Sequence, residues 1–137
     1  MGDSQGEQNL WVLLRTMTPV LQDHCYGFYS LSAERLAALE VTPLGLFQEP
    51  EGVTVIISES QVMQAQLPIV PTWRLITLSV HSDLQAVGFL AAVTTALAQE
   101  EISVNAISAY FHDHLFVPAD QAEAALACLH NLSASVV

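Results

Sequence analysis

Apolar residues recur along the chain at two different spacings. In LWVLLRTMTPVL, residues 10–21, Leu10, Leu13, Leu14, Met17 and Leu21 fall three or four positions apart. That period predicts a helix with one apolar face, and Pro19 predicts its end near Thr18. CYGFYSL, residues 25–31, is rich in aromatics and reads as a strand. Ser32 is a good N-cap, and Leu36 and Leu39 give the segment behind it a short helical face. Two strand-like pieces follow, at 45–48 and 53–58, separated by the turn chemistry of EPEG. SESQVMQAQL is weakly helical. LPIVPTW, with two prolines, breaks regular structure and reads as a linker between two halves.

The second half is patterned more sharply. In RLITLSVHS, residues 74–82, Leu75, Thr77, Ser79 and His81 alternate with Ile76, Leu78 and Val80, which predicts a strand with one apolar face. Residues 83–101 place Val87, Leu90, Ala91, Thr94, Leu97 and Ala98 on one helical stripe. Residues 102–111 alternate again, and HLFVP is a short strand stopped by Pro118. Asp120 is a candidate cap for a last helix whose Ala122, Ala125, Leu126 and Leu129 face inward. SASVV reads as a final strand. The order is β-α-β-β-α-β, the ferredoxin-like split arrangement of an α+β fold with antiparallel sheets. Residues 102–111 and 114–117 then form one hairpin, with His112, Asp113 and His114 as its turn.

Composition narrows the partners. The chain has 137 residues, enough for one ordinary domain or two small ones, and 52% are apolar, enough for a real core. Three Lys and Arg stand against 14 Asp and Glu, a net charge of −11. Such a surface repels phosphate backbones and anionic bilayers, so neither nucleic acid nor membrane is an expected partner. Arg15, Arg35 and Arg74 are scattered and form no patch. Cys25 and Cys128 make no C-x-x-C pair and are expected as small buried residues. MGDSQGEQN lacks the basic and apolar regions of a secretory signal and fits a myristoylation site poorly, so the expected location is the cytoplasm.

YFHDHLFVP, residues 110–118, raises the question of a metal or acid–base centre. Two imidazoles fall short of the three or four ligands of a zinc site, and His24, His81 and His130 lie at no ligand spacing. An aspartate in a turn satisfies its own backbone, so the turn is the expected role and no metal is expected. No G-x-S-x-G, P-loop or G-x-G-x-x-G is present, and neither cysteine has an obvious base. Glu100–Glu101 and the pair in EPE read as solvated carboxylates. No catalytic residue and no cofactor is expected. HSDLQAVGFLAAV, residues 81–93, is more suggestive: a strand runs through a polar turn into a helix with Gly88 near its start. Gly88 either lets a ligand or backbone come close or permits tight packing of helix on sheet. The free N–H groups of a helix start favour a carboxylate.

The stretch from Ser82 to Pro118 resembles an ACT domain, through AVGF at the first helix, ISVNAISAY in the second strand and HDHLFVP at the hairpin. It is similar to the ACT subtype of small bacterial tandem ACT-like proteins and of the animal cytosolic arginine sensor. The resemblance covers about residues 72–132, and 9–71 resembles a more divergent amino-terminal ACT-like half. It implies a polar tail at 1–8, an ACT-like domain at 9–71 and an ACT domain at 72–137. It also implies a non-enzymatic regulatory module that binds an amino acid or similar small molecule where two such domains meet. The residues implied are Ser82, Asp83, Leu84, Ala86, Val87 and Gly88 from the loop, and Asn105, Ala106, Ile107 and Ser108 from the facing strand. Asp83 would pair with an ammonium, the amides near Val87 and Gly88 would hold a carboxylate, and Asn105 would add an amide contact. The expected assembly is a homodimer or higher homo-oligomer acting on a separate protein. The alternative is a ligand-free interaction module working through sheet edges; an enzyme using His112 or His114 ranks below both.

Overall fold

A computed structural model describes residues 6–136. In chain order the elements are α1 (Leu10–Thr16), β1 (Pro19–Leu31), α2 (Ala33–Ala38), β2 (Gly45–Glu49), β3 (Gly52–Ser58), α3 (Glu59–Gln64), β4 (Trp73–Leu78), α4 (Phe89–Gln99), β5 (Asn105–Ser108), β6 (Asp113–Pro118) and α5 (Ala122–Ser135). The fold is α+β and ferredoxin-like. It comprises two compact units: residues 24–73, and the flanking segments ending at Asp23 and beginning at Arg74.

In the smaller unit the strand order is β2-β3-β1. Both pairs are antiparallel, running from Tyr26↔Ser58 to Leu31↔Val53 and from Gly45↔Ile56 to Glu49↔Gly52. EPEG closes the second pair as the tight turn its residues favour. Alternate residues of a strand share a face, so Tyr29 and Leu31 of β1 line up with Val55 and Ile57 of β3. Val62 of α3 and Leu67 complete this core, with Leu36, Leu39 and Val70 packed around it. Ser32 caps α2 by accepting from the Arg35 amide at 3.0 Å.

In the larger unit the order is β1-β4-β6-β5, with residues 19–23 of β1 at one edge. The sequence pattern assigned the last strand to SASVV, but α5 continues through Ser135. Residues 19–23 take the vacant place beside β4. Arg74 donates to the Gln22 carbonyl from Nε and Nη2, at 3.1 and 2.6 Å. The chain enters that strand through Thr18 at φ 39°, so Pro19 opens a strand rather than only ending a helix. Leu13, Leu14 and Met17 of α1 bury with Ile76 and Leu78 of β4, Val93 and Leu97 of α4, Leu115 and Val117 of β6, and Leu129 of α5.

Four further boundaries move, each for a visible reason. β4 stops at Leu78 rather than 82, because the Ser79 amide turns to the Met17 carbonyl at 2.8 Å. α4 starts at Phe89 rather than 83, because Gly88 sits at φ 90° as its N-cap. β5 covers only 105–108; Ile102 is instead buried against the end of α4, its amide bonded to the Leu97 carbonyl at 3.0 Å. The hairpin turn is 109–112, closed by Ala109 N donating to His112 O at 3.0 Å, so Asp113 and His114 belong to β6. A 3-10 turn, Ala119–Gln121, precedes α5, and no side chain caps that helix.

Candidate functional site

The segment from β4 to α4 is held by its own hydrogen bonds and by the start of the described chain. Asp83 Oδ1 accepts from the Gln85 amide at 2.8 Å, and the Asp83 carbonyl accepts from the Ala86 amide at 2.9 Å. Together they make a tight turn of the kind aspartate favours. Glu7 runs beside this segment in a parallel bridge to Ser82. Its amide donates to the His81 carbonyl at 2.8 Å, and its carbonyl accepts from the Asp83 amide at 3.0 Å. Only glycine fits before it: a Cβ on Gly6 would lie 2.5 Å from the His81 oxygen and 2.6 Å from the Asp83 nitrogen.

A cavity of about 60 Å³ opens between this loop, the first turn of α4 and the β5–β6 hairpin. Ser82, Asp83, Leu84 and Ala86 line it from the loop, Phe89 and Leu90 from the helix, and Ser108, Ala109 and Asp113 from the hairpin. Five of the ten residues implied by the resemblance to ACT domains, Ser82, Asp83, Leu84, Ala86 and Ser108, therefore meet here. The other five do not line it. Val87 is 82% exposed. Gly88 sets the helix start. Asn105, Ala106 and Ile107 lie further along β5, where Asn105 and Ile107 pair with Phe116 and His114. Strand alternation puts those two side chains on the sheet face opposite Ser108.

The residue that sequence reasoning missed is Asp113. It is 6% exposed. Its Oδ1 accepts from Ser108 Oγ at 2.5 Å across the last pair of the hairpin. Oδ2 accepts from no described residue, and no Lys or Arg among the described residues pairs with it. A carboxylate buried without a cation is costly, so its position is informative. A period-2 count from Leu115 and Val117 could have placed it on the inward face; its charge argued for a turn instead.

Strand alternation puts His114 on the face opposite Asp113, and the ring of His112, in the turn, lies beside that of His114 with centroids 6.2 Å apart. His114 Nδ1 lies 3.0 Å from Thr77 Oγ1, which in turn accepts from Gln22 Nε2 at 3.3 Å. Burial pushes the His114 imidazole below its ordinary value, the neighbouring His112 adds to that shift, and Asp113 opposes it. Among the described residues, no three His, Cys, Asp or Glu side chains gather at metal-binding distance.

The decisive likeness spans both halves of the chain. Residues 5–74 match one ACT-domain family model and residues 69–131 match another. The chain belongs to the ACT-domain family. ACT domains are typically regulatory modules that bind small molecules. A Vibrio cholerae protein of unknown function, described as a possible transport protein, is 41% identical, with a TM-score of 0.76 over 86% of this chain and 90% of its own. An Agrobacterium tumefaciens protein is 18% identical, with a TM-score of 0.65 over 84% of this chain and 87% of its own. The ligand-free regulatory subunit of aspartate kinase from Thermus thermophilus shares the fold at 14% identity, with a TM-score of 0.63 over 85% of this chain and 97% of its own. No curated protein matches the sequence. No described helix of this ACT protein is long and apolar enough to cross a membrane.

Proposed function

We propose that this ACT protein is a non-enzymatic cytoplasmic regulator that senses an amino acid or a similar small molecule with a cationic head. The observation that carries the reading is the pair of carboxylates, Asp83 and Asp113, lining one small cavity with no cation among the described residues to balance them. An ammonium group supplies the missing charge and donates to Asp113 Oδ2. The uncapped start of α4 offers free amides near Val87 and Gly88 to a carboxylate.

A cavity of about 60 Å³ holds a polar head but not a whole amino acid. The rest of the ligand then needs walls from a second ACT domain, which a homodimer supplies. Leu84, Val87, Ile107, Tyr110 and Phe111 stand exposed on the loop, strand and turn for that contact. Ligand occupancy would be passed to a separate protein through the assembled dimer.

A thermal-shift screen against the twenty amino acids tests the reading. A ligand at a hundred times its dissociation constant adds about 2.7 kcal/mol, a clear shift. The reading expects one amino acid or a small group to raise Tm, and Asp113→Asn and Asp83→Ala each to remove the response. A flat panel would overturn it. The second reading, a ligand-free module acting through sheet edges, would then lead. Its support is the exposure of Leu46 and Phe47 on edge strand β2 and of all four residues of β5.

A further inference from the structure

The smaller unit carries a cavity that amino-acid sensing leaves unused. It has a volume of about 170 Å³ and lies between β1, α3 and the proline-flanked segment before β4. Gly27, Tyr29, Val62, Met63 and Val70 supply its walls. These walls are fixed by contacts of their own. The Tyr29 hydroxyl donates to the Pro68 carbonyl at 2.6 Å and ties that segment over the sheet. A Cβ at Gly27 would lie 2.8 Å from the Tyr29 ring and 3.0 Å from Val70 Cγ2, so glycine lets both close in. Val62 is 7% exposed and belongs to the core.

The mouth is different. Ile69 is 95% exposed and Met63 is 74% exposed, both beside a concave apolar surface. Covering them would release apolar area from water. Two lining groups are polar and make no hydrogen bond to any described residue, the Glu59 carboxylate and the Thr72 hydroxyl. An occupant therefore needs an apolar body and one donor-rich end. An apolar cavity of about 150 Å³ in another protein accepts benzene, which sets the scale of the body. Glu59 and the chain's net charge of −11 select a cation over an anion for the other end.

We propose that this cavity binds a small primary amine with a compact aryl or branched-alkyl body, the body filling the chamber and the ammonium meeting Glu59. The site is separate from the Asp83–Asp113 cavity, which lies in the other unit, and stands whether or not amino acids bind there.

Methyl NMR of the full chain tests it, with phenethylamine, its isosteric alcohol 2-phenylethanol and phenylacetate as probes. The expected result is saturable shifts of the Val62, Met63, Ile69 and Val70 methyls, tightest for phenethylamine. The amine should exceed the alcohol by roughly two- to fivefold, the worth of one exposed ion pair. Glu59→Gln, an exposed change, should bring amine and alcohol together while the methyl shifts persist. Val62→Trp, which fills the chamber, should abolish all three responses if it folds. No saturable shift with any probe would overturn the proposal. So would phenylacetate binding as tightly as the amine, or amine-induced shifts confined to the loop at Asp83.

Discussion

Ser108 Oγ donates to Asp113 Oδ1 at 2.5 Å across the hairpin pair that precedes its turn. This hydrogen bond satisfies one oxygen of a carboxylate that is 6% exposed and lines the cavity. Retaining an uncompensated buried charge lowers stability, and the natural gain for it is recognition. Asp113→Asn keeps the shape and the acceptor for Ser108 but removes the charge. It should raise Tm by a few degrees, about 1 kcal/mol at this chain length, while losing the amino-acid response. Ser108→Ala leaves the carboxylate with no donor and should cost about 1–3 kcal/mol in urea unfolding. Opposite signs from two neighbouring changes would identify Asp113 as kept for binding.

His114 supplies a pH dependence with a definite sign. Its imidazole sits below its ordinary value of 6.5, mainly through burial. As pH falls below that value, the unfolded chain takes up the proton first, so stability is lost on acidification and regained as pH rises to about 6.5. Melting between pH 5 and pH 7.5 should show this slope. His114→Gln, which can still meet Thr77, should flatten it. A slope unchanged by the substitution would assign it to other groups.

Gly88→Ala isolates a backbone cost. The nearest atom to a Cβ there would be Leu10 Cδ2 at 3.6 Å, ordinary contact, so packing does not demand glycine. The φ of 90° does. The substitution should cost about 1–2 kcal/mol, the penalty for a side chain in the left-handed region, and Gly88→Asn should cost less. Equal losses for both would point to packing instead.

Much of this fold is legible in the sequence, because burial imposes period. Leu13, Leu14 and Met17 announce α1, and Ile76 and Leu78 announce β4; each lands in the core. The stripe read for α4 is rotated: of its residues only Leu97 is fully buried, Val87, Ala91 and Ala98 are exposed, and the core face is Phe89, Val93 and Leu97. The errors fall where a tertiary partner overrides the local pattern. Tyr110 and Phe111 continue the alternation of β5 yet are half exposed in the turn, edge to face with centroids 4.9 Å apart. SASVV, residues 133–137, reads as a strand, but the place beside β4 is taken by residues 19–23, more than a hundred positions away along the chain. At the site, the strand–turn–helix signal points to the segment 81–93, and the resemblance to ACT domains implies Ser82, Asp83, Leu84 and Ala86 within it. Asp113 is not, since an aspartate between two histidines favours a turn on every local rule.

Gly6→Ala probes how far the amino-terminal segment supports that loop. The added Cβ would meet the His81 carbonyl at 2.5 Å, and backbone atoms cannot give way cheaply. The pairing of Glu7 with residues 81–83 should therefore open. Losing two hydrogen bonds at a chain end costs about 1 kcal/mol or more of local stability. The change should appear as faster amide exchange at Glu7 and Asp83, whose N–H groups are the donors in that pairing. Exchange deep in α4 and β6 should be unaffected, because Val93, Leu97, Leu115 and Val117 bury elsewhere. Amino-acid affinity should fall alongside, since Asp83 loses the bond that sets its position. Unchanged exchange at Asp83 would show that the loop is held by its own turn, the Gln85 and Ala86 amides sufficing.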